Sequence, residues 1–340
     1  LVSRVREGQR FSFELQAALP WAALAAILVL ALGLRLYHLQ ELPAGLWYDE
    51  ANNIAQARHI QANPGSTPAY VPAADLPSLF LMPVAAVIEV TGVTLTAGRV
   101  VSVAFALAGI VALFLLVRLM LGPFMGLVAA FLMAVMRWDL IWSRVGMHGI
   151  TAPLFAALTA YLTLRALRTG RVSDFGYAGA ALGLGMWFYA SFRLFPLVIG
   201  FMLLHYLVFQ RPEMRRFLGQ TLAMGLVALV VAAPVVRAAS ADSDQFFART
   251  RTTSVFSDRP AGDAPGEIWT SLGRHALMFN YEGDDNPRHN LPGTPMLDFL
   301  SGMLLVIGLG VALARWRNVA MAGLIAWLVL MSLPGVLTLP

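Results

Sequence analysis

About nine long apolar runs follow one another along the chain, and they constrain the fold more than any other feature. Most hold roughly 18 residues or more, enough for an α-helix to cross a hydrocarbon layer about 30 Å thick. Only 13% of the 340 residues are charged, whereas soluble domains are about 25% charged. Strands of a membrane barrel would alternate in period two, so helices are indicated. The predicted spans are 17–39, 99–120, 123–138, 149–168, 175–191, 194–209, 217–236, 296–314 and 318–336.

The chain contains no cysteine and no lysine, so all 24 of its fixed positive charges are arginines. This composition excludes disulfides, thiolate catalysis and Schiff-base chemistry. A formal net charge of +5 would also suit a nucleic-acid-binding protein, but the arginines lie beside apolar runs and form no long basic tract. Their placement favours a role in membrane topology, and no nucleic-acid partner is predicted.

The arginine clusters predict the orientation of the spans. They occur at every second span boundary, and arginines in that position usually face the cytoplasm. The N-terminus is therefore predicted to be cytoplasmic, and the long segments 40–98 and 238–295 become outer loops. A shorter apolar segment at 79–93 fits this alternation only as a re-entrant or interfacial helix. The clusters are Arg4, Arg6 and Arg10; Arg118; Arg165, Arg168 and Arg171; Arg211, Arg215 and Arg216; and Arg315 and Arg317.

These features predict an all-α integral membrane protein with one transmembrane domain over residues 1–340. No internal repeat is visible, so the inverted-repeat architecture of many transporters gains no support. Because the last apolar run ends at Pro340 without a polar tail, we expect that a C-terminal region is missing. The predicted location is the plasma (inner) membrane, with the working face outside the cytoplasm, since the long polar loops lie there.

The sharpest local motif is the segment 45–51, which carries Asp49 and Glu50 directly after the first span. A helix is predicted to follow as far as about Ala62, with Asp49 in the N-cap position. A carboxylate at the membrane boundary can act as a general base on a hydroxyl, while its neighbour supports positive charge at a sugar C1. The alternative interpretation is an N-cap followed by a solvated acid. Arg58 and His59, later on the same helix, are predicted to support the acids.

A polar break between two spans, residues 137–149, gathers Asp139, Arg144 and His148. Arginine suits phosphate because its planar guanidinium binds two oxygens at once and stays charged. We predict that Arg144 binds a lipid phosphate and that Asp139 and His148 support it. An interfacial anchor built from Trp and Arg side chains is the alternative.

Three further arginines stand at span ends. Arg193 lies in a short turn with little polar sequence around it, so its charge is expected to need Asp49, Glu50 or a bound phosphate. Arg35 and Arg99 are interpreted as structural residues whose charges snorkel to the interface.

The late outer loop contains Arg288 and His289 within a stretch rich in Gly, Pro, Asn and Asp. Such residues favour defined turns, so we predict a folded loop that caps an outer cavity, with Arg288 and His289 binding phosphate. The alternative is a self-contained polar loop whose side chains bond to one another.

Metal binding stays open at this level. Oxygen ligands from several loops could hold Mg²⁺ or Mn²⁺, but no pair has a tight ligand spacing, and the metal is left unassigned. The candidate ligands predicted on the outer side are Asp49, Glu50, Asp139, His148, Asp284, Asp285 and His289.

Taken together, the cytoplasmic N-terminus, the Asp49–Glu50 pair after the first span, the interfacial segment and the late outer loop resemble the GT-C superfamily of membrane glycosyltransferases. The likeness is to glycosyltransferase family 39, the group of dolichyl-phosphate-mannose protein mannosyltransferases and aminoarabinose transferases, and it covers about Arg35 to Arg317. It implies a GT-C type polytopic helix bundle with interfacial helices in the first outer loop.

The resemblance also implies a reaction, an inverting sugar transfer from a polyprenyl-phosphate donor to a hydroxyl on the extracytoplasmic face. Asp49 matches the family's first-loop acid and Glu50 its second acid. By looser position, the donor phosphate would be bound by Arg144, Arg193, Arg288 and His289. The family's His-Pro-Pro segment is absent, with residues 74–78 standing roughly there. The acceptor therefore stays open between lipid, glycan and protein.

Two other functions remain open on the same residues. A transporter or flippase-like protein that binds a lipid-linked sugar or another anion would use the arginines without breaking a bond. A structural subunit of an envelope complex would need neither the acids nor the arginines. Asp49 discriminates between them, because only a transferase loses its base when Asp49 is replaced by Asn.

Overall fold

The computed structural model describes residues 2–71, 76–246, 254, 264–286 and 290–338. Helices dominate these residues, as predicted. The only strands described within them are β1 (Tyr70–Val71) and β2 (Leu76–Pro77), an antiparallel pair that joins Tyr70 to Pro77 and Val71 to Leu76. The helices are α1 (Val2–Leu36), α2 (Tyr48–Ala62), α3 (Leu81–Thr91), α4 (Thr96–Leu121), α5 (Pro123–Val135), α6 (Arg137–Ser143), α7 (Thr151–Thr169), α8 (Val172–Gly185), α9 (Phe195–Gln210), α10 (Met214–Ala241), α11 (Ser243–Phe246), α12 (Ala264–Leu277), α13 (Phe299–Ala314) and α14 (Val319–Val336).

Six stretches of these described helices are long and apolar enough to cross a membrane: 18–36, 96–121, 148–169, 190–210, 214–241 and 319–336. A seventh arises if α5 and α6, which meet at a bend of 60°, form one broken span. The other two predicted spans correspond to α8, with 14 residues, and α13, with 16. The predicted total of nine spans therefore stays a prediction, whereas the all-α polytopic fold is confirmed.

The centre of the bundle is formed by α4 and α7, and the periphery by α1 and α10. In α7, 67% of the apolar window is buried, against 17% in α1 and in α10. The core around α4 and α7 contains stacked aromatic rings, with centroids 4.6 Å apart for Phe155 and Phe188. Large apolar side chains such as Val29 and Val230 are exposed on the outer helices. This surface suits contact with lipid chains.

Small residues allow α8 and α10 to pack very closely. Gly179 and Gly183 lie one helical turn apart on α8, and a Cβ at either would come within 2.5 Å of a backbone oxygen of α10. The spacing is the small-xxx-small pattern that brings membrane helices together. The short α8 is thereby fixed against a long helix, although the hydropathy pattern alone predicted a longer span.

The predicted interfacial segment 79–93 corresponds to α3, which follows a 3-10 turn at Ser78–Phe80. It packs on α2 and on α4, and its buried face carries Leu81, Val84, Ala85 and Ile88. Because α3 has only 11 residues, it is too short to cross a bilayer on its own. It supports α2 by packing against it.

Candidate active site at the first turn of α2

The acidic pair lies in the first turn of α2. The N-cap is Trp47, with an extended backbone, so the predicted N-cap role of Asp49 is wrong: Asp49 is the second residue inside the helix. Asp49 is half-buried, whereas Glu50 is fully buried. Asn52 and Gln56, three and seven residues further on, are also half-buried and share the face of Asp49. One helical turn thus presents one carboxylate at the surface and directs the next into the interior.

Glu50 is bound from two sides by groups far away in sequence. Its Oε1 accepts from Arg99 Nε at 2.7 Å and from the Gly146 backbone N–H at 3.0 Å, and its Oε2 accepts from Arg99 Nη2 at 3.2 Å. The side chains of Glu50 and Arg99 are both 0% exposed. A buried carboxylate needs such partners because leaving it without them costs several kcal/mol. Glu50 therefore fixes the first turn of α2 against α4.

Arg99 also fastens the chain that leads into α2. Its Nη1 donates to the Leu39 carbonyl at 2.8 Å and its Nη2 to the Gly45 carbonyl at 2.9 Å. The guanidinium thus joins the end of α1, the connecting segment and Glu50 at one point. The interpretation of Arg99 as a snorkelling residue is wrong, because its charge is satisfied in the interior.

A close backbone crossing makes the Gly146 contact available. A Cβ on Gly98 would lie 3.2 Å from the Cα of Gly146, and a Cβ on Gly146 would lie 3.3 Å from the Cγ of Glu50. Asn53, one turn after Glu50, donates from Nδ2 to the Gly146 carbonyl at 3.0 Å. Glycine at both positions lets α4 and the 144–147 turn approach closely enough to hold α2.

A second buried ion pair joins Arg35 at the end of α1 to Asp139 in α6. Arg35 Nη2 contacts the Asp139 carboxylate, and Arg35 Nη1 donates to the carbonyls of Ala31 and Ala134 at 3.1 and 3.0 Å. Arg35 is 0% exposed and Asp139 8% exposed. Arg35 is therefore not a snorkelling residue, and Asp139, predicted to support the site, holds two helices together.

Arg144 caps the end of α1 instead of pointing into open space. It donates to the carbonyls of Leu34 at 2.6 Å, of Tyr37, and of Leu42 at 3.2 Å. Burial of the guanidinium, together with the charges of Arg99 and Arg35, lowers the pKa of Arg144. The arginine nevertheless stays charged, because its ordinary pKa is far above neutrality. Its predicted phosphate contact has no support in this arrangement.

At the Arg193 turn, the segments 40–98 and 238–295, which are predicted to be outer loops, contact each other. The guanidinium carbon of Arg193 lies 3.9 Å from the ring centroid of Phe246 in the late loop. Phe246 in turn packs on Tyr70 of the first loop, with centroids 4.9 Å apart. Trp187 packs against the same cluster and donates from Nε1 to the Val231 carbonyl at 2.8 Å. The expected partner Glu50 is bound by Arg99 instead.

His148 connects the start of α7 to the Arg193 turn. Its ring lies 5.3 Å from that of Tyr189 and 6.1 Å from that of Phe80. These contacts place His148 in an aromatic layer between the first loop and α9. His148 packs there through ring contacts, and its predicted support of a phosphate-binding Arg144 stays a prediction.

The late loop is folded and fastened to α6. Arg137 Nη2 donates to the side-chain oxygen of Asn290 at 3.1 Å and also contacts the Pro295 carbonyl. Asp284 and Asp285 accept from backbone N–H groups of their own loop, at 2.9 and 3.0 Å. The described part of the loop is therefore folded and bonds largely to itself, whereas its predicted role of capping an outer cavity stays a prediction. The predicted phosphate ligands Arg288 and His289 lie outside the described residues.

Arg58 and His59, which were predicted to support the acids, lie away from Asp49. Arg58 and His59 are exposed on α2. Nine residues separate Arg58 from Asp49, which is two and a half helical turns, so the two side chains leave opposite sides of α2. His59 is nearer to the face of Asp49 but lies nearly three turns along the helix.

No cluster of three His, Asp or Glu side chains placed to hold a metal ion occurs among the residues that the structure describes. Two of the candidate ligands, Glu50 and Asp139, have their carboxylates bound by arginines. His289 lies outside the described residues. The described side chains therefore do not fit a three-ligand metal site.

The sequence did not predict the residues that bind Glu50. Arg99 and Gly146 were not assigned to the site, although they are the partners of Glu50. One signal was present: an arginine within an apolar span is costly unless it is paired, so Arg99 implied a buried acid nearby. The identity of that acid is set by the crossing of α2 with α4.

Comparisons with known proteins agree with this architecture. Residues 75–237 match the family of dolichyl-phosphate-mannose-protein mannosyltransferases. No curated protein matches the chain by sequence. Among solved structures, the chain is similar to the Archaeoglobus fulgidus oligosaccharyltransferase in its apo form, with a TM-score of 0.58 and 14% identity over 91% of this chain and 47% of that one.

The same oligosaccharyltransferase in complex with Zn and sulfate gives a TM-score of 0.56 and 14% identity, over 92% of this chain and 45% of that one. The chain thus spans less than half the length of these solved structures. At this identity the likeness establishes the fold. The predicted fold is confirmed: the chain is an all-α polytopic membrane protein whose fold is similar to that of this oligosaccharyltransferase, and a part of it matches the mannosyltransferase family.

Proposed function

We propose that the protein is an inverting glycosyltransferase, which moves a sugar from a polyprenyl-phosphate donor to a hydroxyl of a lipid, glycan or protein acceptor. The family match and the GT-C fold support a glycosyltransferase-type function. The donor class, the inversion and the side of the membrane are parts of the proposal. It is carried by one observation: Asp49 is a half-buried carboxylate in the first turn of a helix that the buried Glu50–Arg99 pair fixes.

Asp49 acts as the general base. As the acceptor oxygen bonds to C1 of the sugar, its proton passes to the Asp49 carboxylate. The bond between C1 and the phosphate oxygen breaks, and its electron pair stays on the phosphate. A single displacement of this kind inverts the configuration at C1. A base held in one position also lowers the entropic cost of reaching the reactive geometry.

Arg193 stabilises the departing phosphate. Its guanidinium stacks on Phe246, and stacking uses the face of the guanidinium, whereas a phosphate binds its N–H edge. The loops that meet at Phe246 and Tyr70 enclose this position. Enclosure strengthens the attraction between the guanidinium and the negative charge that develops on the leaving group.

Glu50 is a positioning residue in this proposal. Both of its oxygens are bound by Arg99 and Gly146, so it cannot take a proton from the acceptor while these contacts last. Arg35–Asp139 and Arg144 extend the same support to the end of α1. The acid predicted as the second catalytic group thus acts through Asp49.

The orientation rests on the arginine clusters, which place the α2 end outside the cytoplasm under the positive-inside rule. We propose the plasma membrane as its location. A protease or a membrane-impermeant label applied to intact cells should reach a tag inserted near Glu41, which is 72% exposed.

The test is sugar release from a short-chain polyprenyl-phosphate mannose by the purified chain in lipid nanodiscs. Asp49→Asn should lower turnover by about 10²- to 10⁴-fold, the usual contribution of a general base. Donor affinity should change little, because the base acts on the acceptor. Glu41→Gln is the matched control, since it makes the same kind of change at an exposed carboxylate of the same segment.

Two outcomes would contradict the proposal. If Asp49→Asn and Glu41→Gln both kept wild-type turnover, Asp49 would not be the base. If the wild type bound the donor without releasing sugar to water or to any supplied hydroxyl, the transport alternative would be favoured. Repeating the assay with EDTA distinguishes direct base catalysis from catalysis assisted by Mg²⁺ or Mn²⁺ at Asp49.

A further inference from the structure

A half-open cleft lies at the end of the bundle away from α2. Its volume is about 280 Å³, and its walls are formed by the end of α7, the start of α8, α9 and the start of α10. The cleft lies at the end of α7, whose 19 residues make the helix about 28 Å long, and the proposed active site lies towards its start. The cleft has no part in the proposed sugar transfer.

The surroundings of the cleft are strongly basic. Six arginines stand on the segments 165–174 and 211–216, against the two carboxylates of Asp174 and Glu213. Asp174 is buried and already bound, by Arg165 at 3.2 Å and by the Thr169 hydroxyl at 2.6 Å. Across the described part of the chain, no ion pair involves the other five, which are all exposed: Arg168, Arg171, Arg211, Arg215 and Arg216.

The cleft wall is ordered by a backbone carbonyl. Gly170, in the left-handed region at φ +62°, accepts from Arg216 Nη2 at 3.0 Å and from Gln220 Nε2 at 2.7 Å. Arg216 is thereby fixed on the wall with further N–H donors remaining, since a guanidinium has five. Arg168 lines the same cleft. Two guanidinium groups at one opening suit an anion with several oxygens.

Apolar side chains form part of the cleft lining as well. Tyr206 and Phe217 stack at 5.8 Å within the lining. On the same two helices, Leu218 and Leu222 of α10 and Val208 of α9 are exposed. An apolar surface that continues from a basic opening matches a molecule with a charged head and hydrocarbon chains, and a soluble anion would leave it uncovered.

We propose that this cleft binds the headgroup phosphate of an anionic phospholipid, held by Arg168 and Arg216, with the acyl chains along α9 and α10. Under the orientation proposed above, this end faces the cytoplasmic leaflet, where basic clusters attract anionic lipids. The site is independent of the sugar donor, which binds at the other end.

The experiment titrates the delipidated full chain in neutral detergent with phosphatidylglycerol and with phosphatidylcholine of the same acyl chains, and counts bound lipid by native mass spectrometry. The wild type should bind phosphatidylglycerol at least about tenfold more tightly. Arg168→Gln/Arg216→Gln should lose this preference. The matched control, Arg315→Gln/Arg317→Gln, removes two exposed arginines from another cluster and should keep it.

Three results would overturn the proposal: equal binding of both lipids by the wild type, an equal loss in the control, or displacement by inorganic phosphate as effective as by the lipid. The last would identify a site for a free anion. If the double variant fails to fold, Arg168→Gln alone decides. Its side chain is exposed, and the phosphatidylglycerol preference must still fall by about threefold while Arg315→Gln leaves it unchanged.

Discussion

The two ends of the helix bundle use arginine in different ways. At the α2 end, Arg35 and Arg99 are 0% exposed and bound to carboxylates and carbonyls. At the opposite end, Arg168, Arg171 and Arg215 are exposed. The difference lies in the supply of partners: α2, α6 and the segment between α1 and α2 bring acids and carbonyls into contact with Arg35 and Arg99. A buried guanidinium needs those partners, whereas an exposed one is satisfied by water and lipid phosphate.

The largest expected effect comes from breaking the buried pair at the α2 end. Glu50→Gln leaves Arg99 buried without its counter-charge, and we expect the free energy of unfolding to fall by about 3–5 kcal/mol. SDS-induced unfolding in mixed micelles measures this change. Turnover should fall as well, because the first turn of α2 loses its attachment to α4.

The double variant Glu50→Gln/Arg99→Met is the control for that prediction. Removing both charges avoids an isolated buried cation, so the double variant should be more stable than Glu50→Gln alone. If Glu50→Gln were as stable as the wild type, the pair would not fix α2, and the positioning role of Glu50 would be lost with it.

The next effect concerns catalysis at the same end. Arg193→Gln removes the charge that the proposed mechanism places on the departing phosphate, and we expect turnover to fall by about 10²- to 10³-fold, as when one oxyanion donor is deleted. Stability should change little by comparison. Steady-state kinetics with the polyprenyl-phosphate donor separate the two quantities.

Arg211→Gln is the matched control for Arg193→Gln, because it makes the same substitution at the start of a connecting segment at the other end. It should leave turnover unchanged. Equal losses in the two variants would show that the effect comes from the overall charge of the protein and not from the position of Arg193.

The close crossing beneath Glu50 gives a smaller effect on stability. Gly98→Ala puts a methyl group 3.2 Å from the Cα of Gly146, and the strain should cost about 1–3 kcal/mol. Gly225→Ala in α10 has nothing within 4 Å and should be neutral or stabilising, since alanine favours helix. SDS unfolding of the two variants side by side checks this. A neutral Gly98→Ala would mean that the crossing can relax.

Much of the fold could be predicted from the sequence, because unbroken apolar runs determine where helices cross a membrane. The predicted span 149–168 corresponds to α7, Thr151–Thr169. The bend between α5 and α6 could not be predicted, since it occurs at Met136, which adopts an extended backbone without a proline or glycine. The close contact of Gly179 with α10 also could not be predicted, because hydropathy does not show which helices pack together.

The candidate site was predicted only in part. The motif at Asp49 and Glu50 was visible in one segment, and so was the helix that follows it. The sequence could not show that Asp49 is half-buried while Glu50 is fully buried, because the partner of Glu50 is Arg99, 49 residues away. The partners of Arg144 could not be predicted for the same reason, since they are carbonyls more than 100 residues earlier in the chain. Its assignment to phosphate stays a prediction.

The smallest expected effect concerns the exposed arginines at the end of the bundle opposite α2. Arg171→Gln and Arg215→Gln should each change the free energy of unfolding in neutral detergent by no more than about 0.5 kcal/mol, as is usual for exposed positions. Both side chains are exposed, and no ion pair of theirs occurs among the described residues. In nanodiscs of anionic lipid the wild type should gain stability over these variants, because lipid phosphate then serves as the partner. A loss as large as that of Glu50→Gln in neutral detergent would show that this end is held by arginine contacts too, and the contrast between the two ends would disappear.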